Sequence, residues 1–175
     1  LEAIQRPVKL TNIYTAWGGL MLGPLYTDWV AAGIWPDKAD LLSDNVREMM
    51  RMIEDHGEID YKMLWQDIYR LEREMAELFR ETDLLLTPAT ACRPYAADAI
   101  IPKELDGKDV STIGVEPFGV FVNACWNPSI SIPAGLTGDG LPVGLQITCR
   151  RHRDDVALRL ARLFEQVQPW SYPDN

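Results

Sequence analysis

The sequence is short of the residues that most often mark a site. Its 175 residues hold two histidines, His56 and His152, and three cysteines, Cys92, Cys125 and Cys149. The cysteines are odd in number, far apart and in no CxxC spacing, which argues against a disulfide framework or a zinc site and suits a reducing, cytoplasmic compartment. No apolar run approaches the roughly 20 residues that a membrane span needs. The opening LEAIQRPVKL lacks the basic-then-apolar layout of a secretory signal, so no membrane partner is expected. A basic excess is missing as well. Seventeen Lys and Arg are scattered among twenty-six Asp and Glu, for a net charge of -9, whereas phosphate contact needs a clustered cationic field, so no nucleic-acid partner is expected either. The chain does not begin with Met, which reads as a later part of a longer polypeptide or as a trimmed chain.

Local catalytic motifs are equally scarce. There is no GxSxG elbow, no GxGxxG after a strand, no GxxxxGK[ST] and no HExxH. His56 falls at a helix end and His152 within RRHRDD, both settings that favour solvated side chains. Pairing Cys125 with His152 and an Asp is a formal thiol-nucleophile arrangement, although a Cys beside an apolar run is more often a small core residue. The serines, Ser43, Ser111, Ser129, Ser131 and Ser171, include none in a Gly-Ser-Ser setting. Carboxylates abound, but those at Glu54-Asp55, Glu72-Glu74 and Asp154-Asp155 lie on helices with a free polar face, and spacing selects no acid–base pair.

What is present is an ordinary globular composition, 47% hydrophobic and 25% charged, in a length that suits one domain with a real core. Residues 1–82 read as mainly helical. Over Tyr61 to Arg80, Leu64, Ile68, Leu71, Met75, Leu78 and Phe79 recur at steps of three and four. Leu41 to Asp55 repeats the period more loosely, with His56-Gly57 as its stop. Thr11 to Val30, interrupted by Gly18-Gly19 and Gly23-Pro24, predicts two short helices or one bent one.

Residues 83–175 read as strands, a long loop and a terminal helix. DLLLTPA predicts a buried strand, Cys92 to Ser111 a long loop, and FGVFVNACWN a further strand. SISIP and VGLQITC predict a hairpin around Gly138-Asp139-Gly140. DLLLT, SISIP and VGLQI all look like strands buried on both faces. Asp154 to Val167 predicts a helix that buries Val156, Leu160, Leu163, Phe164 and Val167.

In this half, TDLLLTPAT, FGVFVNACWNPSISIPAG, DGLPVGLQI and RHRDDVALRLARLFEQ before Pro169-Trp170 follow one another in an order that resembles the C-terminal part of the amidase signature family. The resemblance runs from about Asp83 to Trp170. It implies an α/β fold: the C-terminal portion of a large mixed sheet with helices on both faces, with Ser131–Gly135 and Val143–Thr148 as internal strands. Gly135 and Gly144 are expected to meet a crowded interior, and Pro133 to end or bulge its strand.

The resemblance also implies an amide C–N hydrolase acting through an acyl-serine intermediate, without metal or cofactor. Its Ser-Ser-Lys triad would lie upstream of this chain, which by itself would be inactive. The implied partners are a small amide substrate and the missing N-terminal half of the enzyme. Exposed apolar surface on the isolated chain is expected to drive self-association, a homodimer being one way to cover it. Ile113, Val115, Phe118 and Phe121 are the substrate-lining candidates, with core packing as their alternative role. Trp126 departs from the family pattern, standing where a small residue is usual. The competing reading is a non-catalytic binding module that retains this part of the fold.

Overall fold

The computed structural model describes residues 2–57, 60–96, 102–111 and 114–170. Helix α1, Tyr14–Ala31, is a single helix that runs through Pro24. The proline removes one N–H from the helical ladder. Close by, the Thr27 hydroxyl donates to the carbonyl of Gly23 at 3.1 Å. After a short 3-10 turn at Ala39–Leu41, helix α2 spans Asp44–His56 and ends on Gly57, whose φ of 73° is a conformation glycine adopts without steric cost. Helix α3, Tyr61–Glu81, is capped by Asp60, whose side chain accepts from the backbone N–H of Met63 at 3.1 Å.

The apolar stripe of α3 lies where its period puts it. Ile68, Leu71, Met75, Leu78 and Phe79 are buried against Ile13, Ala16, Ala124 and Cys125, and this cluster is the main core. Each large side chain so buried stabilises the fold by about 1.5–3 kcal/mol. In front of α1 the extended N-terminal segment is pinned to α3. The Thr11 backbone N–H and hydroxyl both donate to the Glu74 carboxylate, at 2.6 and 2.7 Å.

Three antiparallel strands form the sheet, in the order β1-β5-β4, with β1 at Leu84–Pro88, β4 at Ser129–Leu136 and β5 at Pro142–Cys149. The 92–111 connection carries a small hairpin, β2 Glu104–Leu105 with β3 Lys108–Asp109, around Asp106 and Gly107 at φ 49° and 73°. Both turn residues in the left-handed region suit a two-residue hairpin loop. Helix α5 spans Asp154–Val167.

Register separates the two faces of the sheet. Leu84, Leu86, Ile130, Ile132, Leu145, Ile147 and Cys149 share one face, and this is the face that α5 covers. Leu85, Thr87, Ser129, Ser131, Gln146 and Thr148 share the other, below α4, Pro117–Ala124. Helices therefore lie on both faces of an α/β arrangement. Among the described residues no helix is long and apolar enough to cross a membrane.

Several expectations are corrected. FGVFVNACWN is not a strand. Pro117 stands in the first turn of α4, where its missing N–H costs nothing, and the apolar run buries Val122 and Ala124 as a helix. Two of the three strands are not buried on both faces: β4 alternates, with Ser129, Ser131 and Pro133 exposed, and Leu86 in β1 is 48% exposed, whereas Gln146, Ile147, Thr148 and Cys149 bury both faces of β5 as expected. Among the described residues only β5 is internal to the sheet, and β4 is an edge. Pro133 does bulge its strand, since the register shifts between Pro133 and Gly135. A Cβ on Gly144 would stand 2.8 Å from the Ala89 Cβ, whereas one on Gly135 would meet nothing within 4 Å. Gly144 thus answers to crowding, and Gly135 to its φ of 137°. On α5, Val156, Leu160 and Phe164 turn inward around buried Ala157, but Leu163 and Val167 are exposed, because this short helix packs mainly on β5 and β4.

Candidate substrate cleft

A cleft of about 410 Å³ opens between the N-terminal segment, β1 and α4. Leu10, Ile13, Leu85, Phe118 and Phe121 give it an apolar lining, and Thr87 adds a hydroxyl. The Thr87 Oγ1 is buried and has no hydrogen-bond partner among the described residues.

Three contacts fix the walls. Gln146, only 6% exposed at the centre of the sheet, donates from Nε2 to the Phe118 carbonyl at 2.9 Å, which seats the first turn of α4 on β5. Tyr14 lies so close to Gly114 that a Cβ there would come within 2.5 Å of its Cε2, and Gly114 has φ 64°. Only glycine meets both conditions without strain. The backbone N–H of Ala91 donates to the Val115 carbonyl at 2.9 Å, tying the end of β1 to the approach to α4.

Phe118 and Phe121 are thus brought together in one cleft. Val115 is buried but does not line it, and Ile113 falls outside the described residues. Gln146, Thr87 and Tyr14 escaped the sequence reading. The one signal was Gln146 itself, a polar residue inside the apolar run VGLQI. Trp126 stays out of the cleft: it has φ 56° and 79% exposure just beyond the end of α4.

The thiol arrangement fails on electrostatics. Cys125 is 1% exposed, and burial, with the nearby Glu72 carboxylate adding to it, pushes its thiol up to about 12 despite the opposing Arg151 guanidinium. At neutral pH it is not a thiolate, which is the nucleophilic form. His152 is exposed in the turn before α5. Among the described residues no group of His, Cys, Asp and Glu could hold a metal ion.

Residues 26–158 match the family described as amidase, a span that includes β1, α4 and the β4–β5 hairpin. The chain belongs to the amidase family. It is 38% identical over 90 residues to an acylamidase of Rhodococcus erythropolis, covering 51% of this chain and 19% of that protein. It is 41% identical over 97 residues to a glutamyl-tRNA(Gln) amidotransferase component of Parvibaculum lavamentivorans, covering 55% of this chain and 19% of that one. Among solved structures, a bacterial aryl acylamidase of the amidase signature enzymes matches with a TM-score of 0.78 at 25% identity, over 90% of this chain and 34% of that chain. The match covers about a third of the length of that structure and about a fifth of the length of each of those two relatives.

Proposed function

We propose that this chain is the C-terminal portion of an amidase that hydrolyses C–N amide bonds through an acyl-serine intermediate, and that the Phe118–Phe121 cleft is a wall of the pocket that receives the substrate. The observation that supports this reading is the convergence of Phe118 and Phe121, both inside the family-matched span, on one apolar cleft. The nucleophile belongs to a segment preceding Leu1, since no Gly-Ser-Ser run occurs in the sequence. In the reaction, a serine Oγ there gives up its proton through a second serine to a lysine and attacks the amide carbon. The C–N bond breaks as the leaving nitrogen takes a proton, and water then releases the carboxylic acid from the serine ester. Within this scheme the whole chain forms one segment of the amidase domain. Its partners are a small amide and the N-terminal portion of the enzyme, and a chain kept apart from that portion covers its apolar surface by self-association.

The test is expression of the reading frame that includes the sequence before Leu1, beside the 175-residue chain alone. The longer protein is expected to hydrolyse a simple aryl or aliphatic amide and to lose this on replacement of the nucleophilic serine, while the chain alone shows no turnover. Turnover by the chain alone, or a preceding sequence without a lysine and a Gly/Ser-rich run, overturns the proposal.

A further inference from the structure

A second cleft, of about 430 Å³, lies on the other side of the molecule, between the end of α3, the start of β1 and α5. We propose that it binds a small amphiphilic carboxylate, with the head on Arg150 and Arg159 and the apolar body against Leu84, Leu160 and Leu163.

Charge singles this place out. In a chain of net charge -9, Arg150, Arg153 and Arg159 converge on one cleft. Arginines elsewhere are mostly spoken for: Arg6, Arg47, Arg70, Arg80, Arg93, Arg151 and Arg162 each have a carboxylate partner. Within the cleft, Arg153 is engaged by both oxygens of Asp155, at 2.9 and 3.1 Å. Arg150 and Arg159 have no ion pair among the described residues, so their guanidiniums are free to meet a ligand, and the planar fork of a guanidinium matches a carboxylate in bidentate geometry.

The remaining lining sets the rest of the chemistry. Asp83 places a negative charge at the rim, which favours a monoanion over a phosphate dianion. Leu84, Leu160 and Leu163 offer an apolar floor, with Leu163 46% exposed, and an inorganic anion has nothing to bury there. The volume falls in the range of small-molecule sites, about 300–1,000 Å³. None of this depends on the amidase reading. The residues are separate from those of the Phe118–Phe121 cleft, and the experiment measures binding rather than turnover.

Calorimetric titration of the 175-residue chain with octanoate, octanamide and inorganic phosphate tests the proposal. Octanoate is expected to bind, with octanamide and phosphate each about tenfold or more weaker. Replacing both Arg150 and Arg159 by Gln should weaken octanoate by about tenfold or more. Replacing Arg51 and Arg73 by Gln, which removes the same charge from the exposed faces of α2 and α3, should leave it within about twofold. All four side chains are exposed, and circular dichroism checks that each variant keeps its helical content. Equal affinity for octanoate and octanamide, no octanoate binding at about 5 mM, or the same loss in both double variants overturns the proposal.

Discussion

The side-chain amide of Gln146, buried in the central strand, holds the carbonyl of Phe118 in the first turn of α4 at 2.9 Å. This one bond joins the polar face of the sheet to the helix that carries Phe118 and Phe121. Gln146→Leu leaves that carbonyl without its donor and is expected to cost about 1–3 kcal/mol. Urea denaturation should show a lower midpoint at unchanged slope; an unchanged midpoint would mean that the bond contributes nothing net.

Gly114→Ala introduces two faults at once. A side chain at φ 64° costs about 1–2 kcal/mol, and collision with Tyr14 adds about 1–3 kcal/mol. In a Tyr14→Ala background only the first cost should remain. A double-mutant cycle with no coupling between the two positions would show that the ring moves aside freely.

Ile68 and Leu71 lie at the centre of the α3 face, 2% and 0% exposed. Truncation of either to Ala should destabilise by about 2–5 kcal/mol, read from denaturant unfolding. Losses below about 0.5 kcal/mol at both positions would contradict this packing.

The cysteines should separate by reactivity. Cys92 is half-buried and should react with an aromatic disulfide reagent in the native protein near pH 8, whereas Cys125 and Cys149 should react only after denaturation. Because the Cys125 thiol is raised to about 12 in the folded chain, the folded state binds its proton more tightly than the unfolded one. Its contribution to stability is therefore full below the ordinary thiol value of about 9 and is lost as pH rises towards 12. Relative to Cys125→Ala, the unsubstituted chain should lose stability across that window; parallel curves would refute the shift.

Trp126, Leu86 and Leu136 are 79%, 48% and 68% exposed, and among the described residues β4 presents an unpaired edge. The isolated chain is expected to bind a hydrophobic dye and to sediment as more than a monomer. A monodisperse, dye-silent monomer would show that these surfaces need no cover.

The sequence carried the elements whose local signals agree. The stripe Ile68-Leu71-Met75-Leu78, the stop at Gly57, the turn at Gly138-Asp139-Gly140 and the acidic start of α5 are each written within a few residues, and each forms as its pattern predicts. The ordered motifs from TDLLLTPAT to DGLPVGLQI likewise carried the family. In FGVFVNA the local signal fails, because an apolar run without alternation fits a strand or a buried helix equally well, and the outcome rests on Pro117 and on the core that receives Val122 and Ala124. Exposure of Leu163 and Val167, the alternation of β4 and the meeting of Tyr14 with Gly114 were settled only by tertiary structure. Burial is a property of what lies opposite a residue, and in each of these cases the opposing group comes from a distant part of the chain or is absent from it.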